Sequence, residues 1–190
     1  MLEREMKFLV KKDRFYVLLE QAKQAYPDIQ PKEIDQTNYY YDTEDLQLFK
    51  QHITLRVRRK NGKYAIEKKE VQSYEGQVRR ATESKYPVAA LPESINAAEV
   101  GLDGESVYHL LGQLDTHRIR FTLPDGTNID FDVSKYFHAV DYEVEIELGE
   151  NPPTSLIQEV SAYIKGNNAV GKLERFITAL KHRKINPCPL

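Results

Sequence analysis

The chain has 190 residues, of which 41% are hydrophobic and 29% charged, and a formal net charge of −2. That length supports one or at most two domains with real cores, and the charge balance offers no basic field for nucleic acid. The single cysteine, Cys188, excludes an internal disulfide and a cysteine-rich metal site. No stretch approaches about 18 apolar residues, so no membrane span is expected. No basic leader precedes an apolar run at the start, so a cytoplasmic location is expected.

The opening run LEREMKFLV (2–10) alternates strictly and is too short for a helix, which predicts a strand. In KKDRFYVLLEQAKQAY, Phe15, Leu18, Leu19, Ala22 and Tyr26 recur at helical spacing, with Asp13 as the expected N-cap. Pro27 and Pro31 punctuate a loop. The aromatic run TNYYYDT (37–43) reads as a strand, and ITLRVRRKNGKYAIEKKE as a hairpin turning at Asn61-Gly62. GQVRRATESKYPV adds a strand before Pro87. A second helical region is expected in LPESINAAEVGLDGESVYHLLGQL, with Val107, Leu110, Leu111 and Leu114 on one stripe. THRIRFTLPDGTNIDFDVSKYF forms a second hairpin at Pro124-Asp125-Gly126, and DYEVEIELG (141–149) is a further strand. Thr154 caps a helix expected to run through Lys165. A last helix starts near Lys172, with Leu173, Phe176, Ile177 and Leu180 facing inward.

Successive strand residues point to opposite faces. Sorted by parity, one face collects Glu3, Glu5, Lys7, Arg56, Arg58, Glu67, Lys69, Arg118, Arg120, Asp130, Asp132, Glu143, Glu145 and Glu147. The other collects Met6, Phe8, Leu55, Val57, Ile66, Ile119, Phe121, Ile129, Phe131, Val133, Val144, Ile146 and Leu148. An ordinary antiparallel sheet with one wet face accommodates this alternation. So does an inverted barrel, with apolar side chains outward under helices and charges turned into a lumen. The second reading is favoured by the scarcity of Ser, Thr, Asn and Gln on the charged face. It is also favoured by the grouping of sign by strand and by the amphipathic helices able to cover the apolar face. Charges enclosed in a lumen are tolerable only if wet, paired or facing a ligand of opposite charge. Both signs together suit a polyanion with a divalent cation. The fold class expected is therefore α+β, a closed, mostly antiparallel barrel within one domain spanning 1–190.

These residues resemble a known family. Glu3-Arg4-Glu5-Met6-Lys7 is similar to the N-terminal Glu-x-Glu-x-Lys signature of the CYTH, or triphosphate tunnel metalloenzyme, superfamily. Asn38-Tyr39-Tyr40-Tyr41-Asp42-Thr43 resembles its second-strand motif, and Leu55-Arg56-Val57-Arg58 its Leu-Arg-x-Arg strand. Lys69 falls at its hairpin lysine, and Thr116-His117-Arg118 resembles its Thr-x-Arg segment. Asp132 with Tyr136, then Asp141-Tyr142-Glu143-Val144-Glu145-Ile146-Glu147, resemble its Asp and Glu-x-Glu strands. Lys172 with Arg175-Phe176 resembles its C-terminal Lys-x-x-Arg-Phe. Each motif alone is weak; their order and spacing together are specific, and the small bacterial stand-alone members look most similar.

The resemblance implies an eight-stranded antiparallel tunnel, with helices packed outside, that binds a triphosphate end-on with Mg²⁺ or Mn²⁺. The residue chemistry agrees. Glu3 and Glu5 lie roughly 7 Å apart along one strand, and Glu143 and Glu145 repeat that spacing. Such carboxylates are hard oxygen ligands, and these four are the expected metal ligands. Lys7, Arg56, Arg58, Lys69, Arg118, Arg120, Lys172 and Arg175 are the expected phosphate contacts, arginine as a planar fork and lysine as a point charge. Arg79, Arg80 and Glu83 are further candidates for the tunnel lining, but the stretch from Tyr74 to Val88 matches the family poorly and they stay outside this set. Glu5, Glu145 and Asp132 are the candidate proton acceptors in a metal-assisted phosphoryl transfer to water. The expected partner is a triphosphate-bearing small molecule, with no nucleic acid or membrane partner, and a homodimer is left open. Three readings of function follow: a triphosphatase acting on inorganic, thiamine or nucleoside triphosphate; a class IV adenylate cyclase; or a non-catalytic polyphosphate or nucleotide binder.

Overall fold

A computed structural model describes residues 2–76, 78–155, 158 and 170–185. Nine strands and three helices occur among them: β1 (Leu2–Val10), α1 (Lys12–Ala25), β2 (Lys32–Asp42), the single turn α2 (Gln47–Lys50), β3 (Ile53–Lys60), β4 (Lys63–Glu75), β5 (Val78–Val88), β6 (Ser94–Asn96), β7 (Val107–Thr122), β8 (Asn128–Tyr136), β9 (Ala139–Glu147) and α3 (Lys172–Ile185). Eight strands run in the order β2-β3-β4-β5-β1-β9-β8-β7, and β7 pairs back onto β2 to close an antiparallel barrel. The short β6 pairs with β7 outside that ring. No described helix is long and apolar enough to cross a membrane.

The local chemistry explains these elements. Asn61 (φ 50°) and Gly62 (φ 73°) take the left-handed conformation that a two-residue hairpin requires, so β3 and β4 pair from Lys60↔Lys63 onward. Alternation on β1 puts Met6 and Phe8 outward, where they join Phe121, Phe131, Val144 and Ile146 beneath Phe15 and Leu19 of α1. Each such aromatic or aliphatic side chain contributes about 1.5–3 kcal/mol on burial. A second cluster packs Leu55, Val57 and Ile66 against Leu48 of α2 and against Ile95, Ala97 and Val100.

The third helix does something different. Tyr40, Leu114 and Tyr136 share parity with the lumen residues of their strands, and they pack with Phe176 and Ile177. The Tyr40 and Phe176 ring centroids lie 4.9 Å apart. So α3 lies across one end of the barrel, and its first turn points into the lumen. Gly112 (φ 149°) permits this approach, because a Cβ there would sit 3.1 Å from the Phe176 ring.

Three expectations need correction or qualification. The helical region expected over residues 91–114 is instead β6, a 3₁₀ turn (Ala97–Val100) and the first half of β7. Its supposed stripe fails, since Leu114 is buried while Leu110 is 45% exposed. Strand β2 needs a partner along Tyr39–Asp42, and 109–113 supply it; that pairing overrides local propensity. Asp13 is not the N-cap of α1: Lys11 holds that position without a side-chain cap bond, and Asp13 sits in the first turn. Of the helix expected from Thr154 through Lys165, only Thr154, Ser155 and Gln158 are described, all helical; the rest lies outside the described residues.

Candidate functional site

The barrel lumen holds a cavity of about 290 Å³ in which ten lining side chains are Lys or Arg and five are Glu. Strand pairing sets this composition. Lumen-parity positions on adjacent strands are neighbours, so Arg56 of β3 meets Glu67 of β4, Lys7 of β1 meets Glu145 of β9, and Arg118 of β7 meets Asp132 of β8.

The wall formed by β3, β4 and β5 is dominated by cations. Arg56 Nε donates to Glu67 at 3.0 Å, and Arg56 Nη2 donates to Glu83 at 3.3 Å. Arg58 Nε donates to Asn38 Oδ1 at 3.0 Å, and its Nη1 lies 3.2 Å from Glu67. Lys85 Nζ is 3.0 Å from the same Glu67 carboxylate. Burial would raise the Glu67 carboxyl, but Arg56 and Arg58 outweigh it and hold the group at about 2. One buried carboxylate thus serves three cations. The excess appears at Arg58, which burial and then Arg56 and Arg118 push down to about 10. Lys60, at the end of β3, is pushed down by burial and by Arg120, Arg58 and Arg118. This wall has more positive charge than its own carboxylates neutralise.

The acids of β1 are held by cations of their own. Lys69 Nζ lies 2.5 Å from Glu3 and 2.9 Å from Glu5. Glu5, fully buried, also accepts from Lys7 at 2.8 Å and lies 3.3 Å from Arg79 Nε. Glu3 shares a hydrogen bond with Glu83; burial and this neighbour raise Glu83 to about 7, while Glu3 itself is lowered.

The opposite wall carries the acids of β8 and β9. Arg118 grips Asp132 through Nε and Nη2 at 2.7 and 2.8 Å, reaches Asp130 with Nη1 at 2.5 Å, and lies 3.4 Å from Glu145. Arg120 binds Asp130 at 2.6 and 2.7 Å and Glu147 at 3.0 Å. Deeper, toward the end that α3 closes, carboxylate oxygens of Asp132, Glu143 and Glu145 converge within 4.8 Å of one another. Lys172 Nζ sits among them, 2.8 Å from Asp132, 3.2 Å from Glu145 and bonded to Glu143. Burial would lower the Lys172 ammonium, but Asp132, Glu143 and Glu145 raise it well above its usual value. Burial would likewise raise Glu145, yet Lys172, Lys7 and Arg118 hold it far below the ordinary carboxylate range. Arg175 anchors this corner from behind, donating to Asp141 at 2.7 Å and to Glu143 at 2.8 Å.

The structure therefore brings Glu3, Lys7, Arg56, Arg58, Lys69, Arg118, Arg120, Glu145 and Lys172 onto one cavity. Glu5, Asp132, Glu143 and Arg175 stand behind that surface. Among the four expected metal ligands, Glu143 and Glu145 cluster with Asp132, whereas Glu3 and Glu5 are gathered around Lys69. A trio of buried carboxylates fits a hard divalent cation, so Asp132, Glu143 and Glu145 would hold one. Residues outside the expected set also line the cavity: Asn38, Lys60, Arg79, Glu83 and Lys85. The alternation Arg79-Ala81-Glu83-Lys85 along β5 is the signal that finds three of them. It places Arg80 on the other face, where it pairs with Glu75. His117, of opposite parity to Arg118, points outward and meets Asp35 at 2.8 Å.

A closed antiparallel barrel with arginines, lysines and carboxylates turned inward defines a triphosphate-tunnel fold. The chain belongs to the CYTH domain family, which it matches over residues 1–176. It is 30% identical over 122 residues to YjbK of Bacillus subtilis, a protein with a triphosphatase name. That match spans 61% of this chain and 63% of YjbK, less than two thirds of its length. Among solved structures, HpAC1 from Hippeastrum superposes with a TM-score of 0.70 at 20% identity, covering 93% of this chain and 96% of that one. Its description joins an adenylyl cyclase name to a dominant triphosphatase activity. A Bacillus halodurans protein with an adenylate cyclase name superposes with a TM-score of 0.63 at 25% identity, covering 90% and 95% of the two chains.

Proposed function

We propose that this protein is a divalent-metal-dependent triphosphatase that hydrolyses a triphosphate held in the barrel lumen, with Mg²⁺ or Mn²⁺ as its metal. The observation that carries this reading is the asymmetry across the tunnel. One wall has a surplus of cations, with Arg56, Arg58 and Lys85 sharing the single Glu67 carboxylate, and the other gathers three buried carboxylates within 4.8 Å. The first suits phosphate oxygens and the second a hard cation. A pure anion binder gains little from the carboxylates.

Arg56, Arg58, Lys69 and Arg118 would fix the anion and offset the negative charge that builds on its oxygens in the transition state. When bound at Asp132, Glu143 and Glu145, a divalent cation supplies neutralisation of phosphate oxygens and a lower pKa for water. Of the carboxylates considered as proton acceptors, Glu145 reaches the cavity, while Glu5 and Asp132 are enclosed by Lys7, Lys69 and Arg79 or by Arg118 and Lys172. Glu145 is ionised and borders the lumen, where it would meet the cation and the attacking water, although Lys172, Lys7 and Arg118 make it a weak base.

The apolar or aromatic lining residues are Ile34, Tyr40 and Leu173. Tyr40 is buried against Phe176 and offers no open face. A purine pocket of the kind a cyclase requires is thus unsupported by the described lining, and this favours hydrolysis and a substrate read mainly through its phosphates. The deciding experiment measures phosphate release from inorganic triphosphate, thiamine triphosphate and ATP with Mg²⁺ or Mn²⁺, beside a cyclic AMP assay. Metal-dependent phosphate release is the expected result. Cyclic AMP as the main product selects the cyclase, and turnover of none of these compounds with either metal selects the binding module.

A further inference from the structure

We propose that Lys172 is a built-in stand-in for the divalent cation: in the metal-free protein its ammonium occupies the Asp132–Glu143–Glu145 trio, and metal entry turns it out toward the substrate. The inference rests on the reading of that trio as the metal site.

The geometry supports both positions of the side chain. Lys172 Nζ touches all three carboxylates, so it fills the place a cation would take. The same side chain also lines the cavity, so a modest rotation about its flexible stem leaves it facing the lumen rather than bulk solvent. Lys172 is the first residue of α3 and follows Gly171. Phe176 and Arg175 pin the helix from the next turn, against Tyr40 and against Asp141 and Glu143. The helix need not move for the side chain to swing.

The charge balance gives the swing a purpose. Without metal, Lys172, Arg118 and Arg175 touch the three carboxylates, with Arg118 also serving Asp130 and Arg175 also serving Asp141. Replacing one ammonium by a divalent ion makes that corner one charge more positive, and the displaced ammonium adds a further charge to the lumen. Both changes favour a polyanion. The protein would bind its metal weakly when empty, because the tethered ammonium competes. Metal and triphosphate would then reinforce one another, as ligands do when each favours the same arrangement.

The test compares wild type with Lys172→Met, both stripped of metal by chelation. Mn²⁺ affinity is read from the electron paramagnetic resonance signal of free Mn²⁺, without substrate. Removal of the competitor should tighten Mn²⁺ binding about tenfold or more, a change that loss of a merely structural contact would not produce. Equal or weaker binding by the variant, with wild type binding normally, overturns the role of Lys172 and leaves the metal site standing. Absence of Mn²⁺ binding by both proteins overturns the metal site as well. Should the variant not fold, wild type alone decides through its lysine Nζ NMR signals. A protected Lys172 signal present without metal should shift or vanish on saturation with Mg²⁺; an unchanged signal overturns the proposal.

Discussion

Arg58→Met separates binding from stability. Burial, Arg56 and Arg118 push Arg58 down from its ordinary value to about 10, so its charged form is disfavoured by about 3 kcal/mol relative to the unfolded chain. Methionine fills a similar volume without the charge. It forfeits the hydrogen bond to Asn38, worth about 1 kcal/mol, and leaves Glu67 still paired with Arg56 and Lys85. The balance favours the variant by about 1–2 kcal/mol, or about 2–8 °C in Tm for a chain of this size. Tripolyphosphate binding moves the other way. Loss of a charge-assisted contact costs about 1.5–3 kcal/mol, which weakens affinity about 10- to 200-fold. Thermal unfolding with and without tripolyphosphate and Mg²⁺ reads both effects. A variant that loses 2 kcal/mol or more when empty, or that keeps its full ligand-induced shift, refutes the idea that Arg58 is held in readiness for an anion.

The contrasting case is Arg118→Met, which strips a buried cation from Asp132, Asp130 and Glu145; about 3–5 kcal/mol of stability should go, checked by urea denaturation, and a loss under 1 kcal/mol contradicts the pairing described. Glu145→Gln should lower metal-dependent turnover at least about 100-fold while circular dichroism stays native; turnover within a few-fold of wild type removes Glu145 from the chemistry. In the metal-free protein Glu83 binds a proton up to about pH 7, against 4.5 for its ordinary value. The native state therefore holds more protons between these limits, and the contribution of Glu83 to stability falls as pH rises from about 4.5 to 7. Urea midpoints at pH 5 and pH 7.5 should show wild type losing stability relative to Glu83→Gln over that interval, and a constant difference between the two proteins argues against the shared Glu3–Glu83 proton.

Much of this site was legible because a strand converts parity into direction. Glu3-Glu5-Lys7, Arg56-Arg58, Arg118-Arg120 and Glu143-Glu145-Glu147 all turn inward as their alternation demands, and the chain order of the motifs fixed the family. The failures have physical causes. The Val107–Leu114 stretch carries helical spacing, but barrel closure requires it as a strand, and β2 and β7, which close the ring, are paired by no local signal. The location of α3 across the end of the barrel was equally hidden. Its apolar stripe predicts burial but not a partner, and the partners are lumen-parity residues, Tyr40, Leu114 and Tyr136, that break the charged pattern at that end. Two members of the acid trio, Glu143 and Glu145, follow from spacing. Asp132 joins them only because β8 lies beside β9 in the register that sets Asp132 against Glu143.

The most direct test of the account is a crystal structure of the protein with Mn²⁺ and a non-hydrolysable triphosphate analogue. Anomalous scattering should place manganese against Asp132, Glu143 and Glu145, with the phosphate chain in the lumen within hydrogen-bonding reach of Arg56, Arg58 and Arg118. Manganese elsewhere, or a phosphate chain bound to the barrel exterior with the lumen charges still paired only to one another, contradicts it.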